Sequence, residues 1–206
     1  MKRIFKFIIV FAVFILVVTV IWFQIFRSEV SGPVSVEVVS DDGFLKLTMT
    51  LEKTKFTTSP REPVKINLTL TNIGDQEITL TFHYKSKFDF MVYDYGQGEY
   101  IYMWSWEHVY NGSSIELPEI NTVKLKPGEK ISELLIWKQN YVYDTTHPRR
   151  GLVTKGTYRI EGSVGHGKIN APWFPENPLR FFEYTLPNGT LVRTVLKTPG
   201  IKINLV

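Results

Sequence analysis

The sequence predicts an all-β fold: an immunoglobulin-like antiparallel β-sandwich preceded by one N-terminal transmembrane helix. Three observations lead there. An unbroken apolar run opens the chain, and after it apolar residues recur at every second position. Gly, Pro and Asn turns cut these period-two segments into short lengths, and no segment beyond the first run carries a 3.6-residue repeat.

Between Lys6 and Arg27 only Thr19 and Gln24 are polar. As a helix rising about 1.5 Å per residue, residues 7–26 span roughly 30 Å, one bilayer crossing. A cleaved signal peptide has an apolar core of about 7–15 residues and a small-residue cleavage site. This run is longer and ends Trp-Phe-Gln-Ile-Phe-Arg, which reads as an uncleaved anchor. Lys2, Arg3 and Lys6 precede the span and only Arg27 directly follows it, so the N-terminus is expected in the cytoplasm and the C-terminal domain outside it.

Four of the 24 basic residues and none of the 20 acidic ones precede residue 28, so the rest of the chain is formally neutral. The overall +4 therefore gives no support to a nucleic-acid partner. With no cysteine among 206 residues, disulfides and thiolate metal sites are excluded, and stability has to come from packing.

The expected organisation is a cytoplasmic tip and membrane helix over 1–27, a linker and first strand over 28–43, the sandwich over 44–165, and a β-rich C-terminal extension over 166–206. Leu45, Leu47, Met49 and Leu51 alternate with polar residues, as do Val64, Ile66, Leu68 and Leu70. Ile78, Leu80 and Phe82 follow a turn at 72–75, which predicts a hairpin over 63–83. Further strands are expected at 120–125, 131–137 and 156–164. Residues 139–155 read as a long insertion with little periodicity. In the extension, Asn188-Gly189 between apolar runs signals a second hairpin.

Residues 88–106, FDFMVYDYGQGEYIYMWSW, read as a hairpin around Gly96, Gln97 and Gly98. That register pairs Tyr95 with Glu99, Tyr93 with Ile101, Met91 with Met103 and Asp89 with Ser105. It sends Phe88, Phe90, Val92, Trp104 and Trp106 to the core and leaves Met91, Tyr93, Ile101 and Met103 on the opposite face. Either the C-terminal hairpin or the insertion covers that face, or it is an apolar patch for a protein partner. A one-residue slip would exchange the two faces.

The run LTLTNIGDQEITLTF, then FDF, Asp94, Gly98, Trp104-Ser105, and later LKPGE, Trp137 and GTY, resembles the bacterial intracellular proteinase inhibitor family, often called BsuPI, over about residues 44–165. The resemblance implies an immunoglobulin-like sandwich that binds proteins without catalysis, with a serine proteinase as a possible target. It assigns no inhibitory motif to particular residues. The chain departs from the family pattern in its anchor, its 139–155 insertion and its tail.

No enzyme is expected. His83, His108, His147 and His166 are scattered, and neither G-x-S-x-G nor H-E-x-x-H occurs. Turn chemistry accounts for Asp41-Asp42 before Gly43 as well as cation binding does, and no metal or cofactor is expected. Tyr141, Tyr143, His147, Arg149 and Arg150 place aromatic and arginine side chains in one loop, a composition enriched at interfaces. The candidate contact residues are these five together with Met91, Tyr93, Gly96, Gln97, Gly98, Ile101 and Met103. The function expected is non-catalytic protein binding at a membrane, of proteinase-inhibitor type. A structural subunit of a membrane or envelope complex, and a small-ligand or metal-binding sandwich, are the alternatives.

Overall fold

The computed structural model describes residues 32–82, 86–96, 98, 100–105, 120–142, 150–165 and 182–206. The span expected at residues 7–26 lies outside them. Among the described residues no helix is long and apolar enough to cross a membrane. They belong almost entirely to the unit Pro33–Val206, the second of two into which the chain divides.

In chain order the strands are β1 (Val34–Val39), β2 (Leu45–Leu51), β3 (Lys55–Phe56), β4 (Val64–Asn72), β5 (Ile78–Phe82), β6 (Phe88–Asp94), β7 (Tyr100–Met103) and β8 (Asn121–Leu125). There follow β9 (Lys130–Trp137), β10 (Asn140–Val142), β11 (Arg150–Leu152), β12 (Gly156–Val164), β13 (Phe182–Thr185), β14 (Leu191–Thr194), β15 (Leu196–Lys197) and β16 (Ile201–Leu205). The first sheet runs β1-β2-β4-β9, and the second β3-β16-β12-β6-β7 with β15 also on β12. A third runs β14-β13-β5-β8, and β10 with β11 makes a separate ribbon.

The period-two reading holds where it is cleanest. Leu45, Leu47, Met49 and Leu51 of β2 and Val64, Ile66, Leu68 and Leu70 of β4 are wholly buried, as expected for one face of a sheet. Each such side chain contributes about 1.5–3 kcal/mol by leaving water. A chain of rings joins the first two sheets: Phe90 to Tyr102 at 5.6 Å, Tyr102 to Trp137 at 6.2 Å, and Trp137 to Tyr158 at 5.9 Å. At Gly162 on β12 the sheets come so close that a Cβ would meet Leu68 Cδ2 and lie 3.2 Å from Met49 Sδ. Only glycine fits there without displacing its neighbours.

The hairpin expected over 63–83 does not form. β4 pairs with β2 and β9, whereas β5 pairs with β8 and β13, so the turn carries the chain from one sheet to another. Buried Asn72 decides this. Its Nδ2 donates to Gln76 O at 2.8 Å and Leu125 O at 2.9 Å, and its Oδ1 accepts from Gly74 N at 3.0 Å. Its backbone N–H donates to Glu129 O and its carbonyl accepts from Gly128 N, fastening the turn to the approach of β9.

The expected Asn-Gly hairpin does form, as β13 and β14, with Gly189 at φ 83°. Its first strand joins β5, while β16 lies between β3 and β12 and pairs with five residues of the latter. The third sheet carries the stacked rings of Phe82, Phe182 and Tyr184. Tyr184 Oη donates to the Asp42 carboxylate, tying β13 to the turn between β1 and β2.

Candidate functional site

The residues singled out in the sequence fall in two places. The first is the tip of β6 and β7. Met91 pairs with Met103 as expected, and Val92 with Tyr102, but an irregularity between Val92 and Tyr93 brings Tyr93 opposite Tyr100. The expected Tyr93 to Ile101 pair is thereby lost, and Tyr95 leaves the strand for the turn. Tyr102 is buried opposite Val92, whereas Trp104, expected in the core, begins a short helical turn and is half-buried against it. Trp106 lies outside the described residues.

The four residues of the expected apolar face are partly covered. Met103 is buried, and Ile101 is half-buried and packed against the core. Tyr93 lies beneath two cations, with Arg159 Cζ 4.7 Å and Lys197 Nζ 5.2 Å from its ring centroid. Its hydroxyl accepts from Lys197 Nζ at 3.0 Å. Glu161 holds both cations, Arg159 at 3.0 Å and Lys197 as a close ion pair. Burial, with the Glu161 charge beside it, raises the Tyr93 pKa. Burial pulls Lys197 down, but its bonds to Glu161 and Tyr93 outweigh this and raise its pKa above the ordinary value. Tail residue Lys197 therefore covers Tyr93 with charge.

Asp89 and Ser105 meet as their register predicts. Asp89 Oδ1 accepts from Ser105 N at 3.0 Å and from Phe90 N at 2.7 Å, and Oδ2 accepts from Ser105 Oγ at 2.7 Å. The turn itself is held by Asp94, whose Oδ1 accepts from Gly96 N and whose carbonyl accepts from Gly98 N. Gly98 takes φ 71°, as the reading required, and Gln97 lies outside the described residues.

The second place is the insertion. It is more regular than its sequence suggested: Asn140 pairs with Leu152, Tyr141 with Gly151 and Val142 with Arg150 in the β10–β11 ribbon. Tyr143, His147 and Arg149 lie outside the described residues. The ribbon is rooted in a residue the sequence gave no reason to choose. Gln139 is wholly buried at φ 58°, a left-handed conformation that side-chain-bearing residues rarely adopt.

That backbone is held from several directions. Gln139 Nε2 donates to Thr57 O and Glu62 O, both at 2.8 Å, and its carbonyl accepts from Val153 N at 3.0 Å. Arg61 Nη1 donates to Val153 O at 3.0 Å and stands 3.4 Å from Gln139 Oε1. Trp137 Nε1 donates to Asn140 O at 2.8 Å. A hydrogen bond from Lys53 holds Glu62 below the usual carboxylate range, with a second from Thr57 N. The loop between β3 and β4 thus clamps both strands of the ribbon at its base. A ribbon fixed in this way loses little conformational entropy at its root on meeting a partner.

The family described as BsuPI, intracellular proteinase inhibitor, matches residues 51–166, more than half of the chain. The chain belongs to the BsuPI family. The BsuPI match takes in both places, from the β3–β4 loop through the ribbon to the end of β12. No curated protein matches the chain. Among solved structures it is similar to a β-glucosidase from Listeria innocua in complex with glucose, at 10% identity and TM-score 0.36, covering 78% of this chain and 16% of that one. A β-glucosidase from Erythrobacter marinus gives 12% identity and TM-score 0.36, covering 84% and 16%. The C-terminal domain of wzt gives 6% identity and TM-score 0.30, covering 85% and 74%. The chain spans about a sixth of the length of the β-glucosidases it matches, and TM-scores this low carry no information about activity.

Proposed function

We propose that the chain is a non-catalytic, membrane-tethered protein-binding module of proteinase-inhibitor type. The BsuPI match over residues 51–166 carries this reading. The candidate contact residues are Tyr141, Tyr143, His147, Arg149 and Arg150 of the segment between Gln139 and Val153, together with Gly96, Gln97 and Gly98. Supporting the ribbon is the buried clamp of Arg61 and Gln139, which fixes the start and end of the segment. The apolar run at 7–26 supports an anchor, and the charge bias across it supports a domain outside the cytoplasm. A domain so placed meets an extracytoplasmic serine proteinase or a subunit of a membrane complex. The strands after residue 181 lie beyond the residues of the family match.

Affinity isolation of the native chain from its own membranes tests this. A proteinase that co-purifies with the chain, and is lost when Arg149 and Arg150 are both changed to Ala, is the expected result. Retention of the same partner by that double variant would overturn the assignment of the ribbon.

A further inference from the structure

Two segments with the acceptor pattern Asn-x-Thr fall among the described residues, Asn67-Leu68-Thr69 and Asn188-Gly189-Thr190. A third such pattern, Asn111-Gly112-Ser113, lies outside them. The amide nitrogen of asparagine is a poor nucleophile because its lone pair is delocalised into the carbonyl. A transferase therefore has to enclose this side chain together with the hydroxyl two residues on, and the fold treats the two segments differently. Asn67 lies within β4, paired to Thr50 on one side and to Leu134 on the other, and the Thr69 hydroxyl shares a hydrogen bond with Ser132 at 2.8 Å. Freeing that acceptor means parting three strands. Asn188 stands in the loop 186–190 between β13 and β14, where Pro187, Asn188, Gly189 and Thr190 are all exposed. The loop is closed by its own backbone, with Leu186 N donating to Thr190 O at 2.8 Å and Gly189 N to Leu186 O at 2.9 Å. Among the described residues the Asn188 side chain makes one hydrogen bond, Oδ1 accepting from Thr190 N at 2.9 Å, which leaves Nδ2 to solvent. A Cβ at Gly189 would meet nothing within 4 Å.

We propose that Asn188 is an N-glycosylation site, the acceptor that the folded domain leaves open, and that Asn67 is not one. The co-substrate is an oligosaccharide carried on a lipid phosphate. Asn188 Nδ2 forms a bond to C1 of the first sugar, and the bond from C1 to the phosphate oxygen breaks, its electron pair leaving with the lipid phosphate. One Nδ2 proton goes to the base of the transferase, and nothing is oxidised or reduced. The inference rests on the outward placement of the domain in the proposed function, since this modification belongs to surface loops of secreted and outward-facing domains. The attached sugar stands beside Leu191, the 54% exposed first residue of β14, and shields that edge of the third sheet from pairing with another chain.

Trypsin cuts after Arg180 and Arg193, so residues 181–193 form one peptide that holds Asn188 and neither of the other two acceptor asparagines. Fragmentation mass spectrometry of this peptide, from the full chain purified out of its own membranes, is expected to show a sugar series on Asn188. The tryptic peptide 66–85, which holds Asn67, is expected to be bare. Thr190→Ala is expected to lower occupancy of Asn188 at least tenfold with the circular dichroism of the folded chain unchanged, and Thr190→Ser to keep it. A bare Asn188, a sugar on Thr185 or Thr190 in its place, or equal occupancy of Asn67 would overturn the inference. Asp75→Cys, at an exposed position of a chain with no other cysteine, reads the outward placement separately. Labelling of that thiol in intact cells by a membrane-impermeant maleimide, with Asn188 bare, overturns the glycosylation alone. No labelling, with Asn188 bare, overturns the outward placement with it.

Discussion

Truncating Gln139 probes the root of the ribbon. Gln139→Ala removes two donor bonds to the Thr57 and Glu62 carbonyls and the side-chain oxygen facing Arg61. At about 1 kcal/mol net for each bond, and somewhat more for buried groups left unpaired, the loss is about 2–4 kcal/mol. For a domain of this size that lowers Tm by roughly 5–15 °C. Gln139→Gly loses the same bonds but relieves the left-handed backbone, where a side chain costs about 1–2 kcal/mol. Part of that relief is offset by the greater freedom of glycine in the unfolded chain. The Gly variant is therefore expected to be about 0.5–1 kcal/mol more stable than the Ala variant, the reverse of the order in ordinary strands and helices. Thermal melts followed by circular dichroism in one buffer read both values. Equal melting of Gln139→Ala and the unmodified chain, or a Gly variant less stable than the Ala variant, would mean that the Gln139 amide and its left-handed backbone do not set the stability of the ribbon's root.

Asp89→Ala leaves Phe90 N, Ser105 N and Ser105 Oγ without their shared carboxylate, and a loss of about 3–5 kcal/mol is expected in denaturant titration. Gly162→Ala forces a methyl group against Leu68 and Met49 and is expected to cost about 1–3 kcal/mol, whereas Gly32→Ala, with open space around it, should be neutral. Burial raises the Asp42 pKa, but hydrogen bonds from Ser40, Tyr184 and Phe44 N outweigh it, so the folded value lies below the reference of 3.8. The stability this contributes is present above pH 3.8 and is lost as pH falls through the folded value. Tyr184→Phe is therefore expected to lessen the fall in Tm over that acid range, measured by scanning calorimetry.

Much of the sandwich was legible because a half-buried strand writes its pattern locally. The alternation in β2 and β4 and the Asn-Gly turn of β13 and β14 need only neighbouring residues to be read, and β12 begins and ends where its sequence predicted. What escaped depends on distant partners. The segment after β4 has the composition of a hairpin turn, but Asn72 binds Leu125 O across 53 positions and sends β5 to another sheet. In β6 and β7 a single irregularity at Val92 moved Tyr93 past Ile101, and pairing alone cannot reveal it. For the site, the tyrosines and arginines of the insertion were visible as composition. Gln139 was not, since nothing in Lys138-Gln139-Asn140 announces a buried side chain at positive φ, and Arg61 lies 78 positions away. Nor did the sequence show that Lys197 in the tail would settle over Tyr93.

Direct inhibition assays against subtilisin, trypsin and chymotrypsin, with active-site-titrated enzyme and increasing amounts of the full chain in detergent, decide whether the chain inhibits a proteinase. The expected result is saturable inhibition of at least one enzyme at one chain per active site, lost when residues 143–149 are replaced by a Gly-Ser loop of equal length. Full activity of all three proteinases at a hundredfold excess of chain, or inhibition unchanged by the loop replacement, would contradict it.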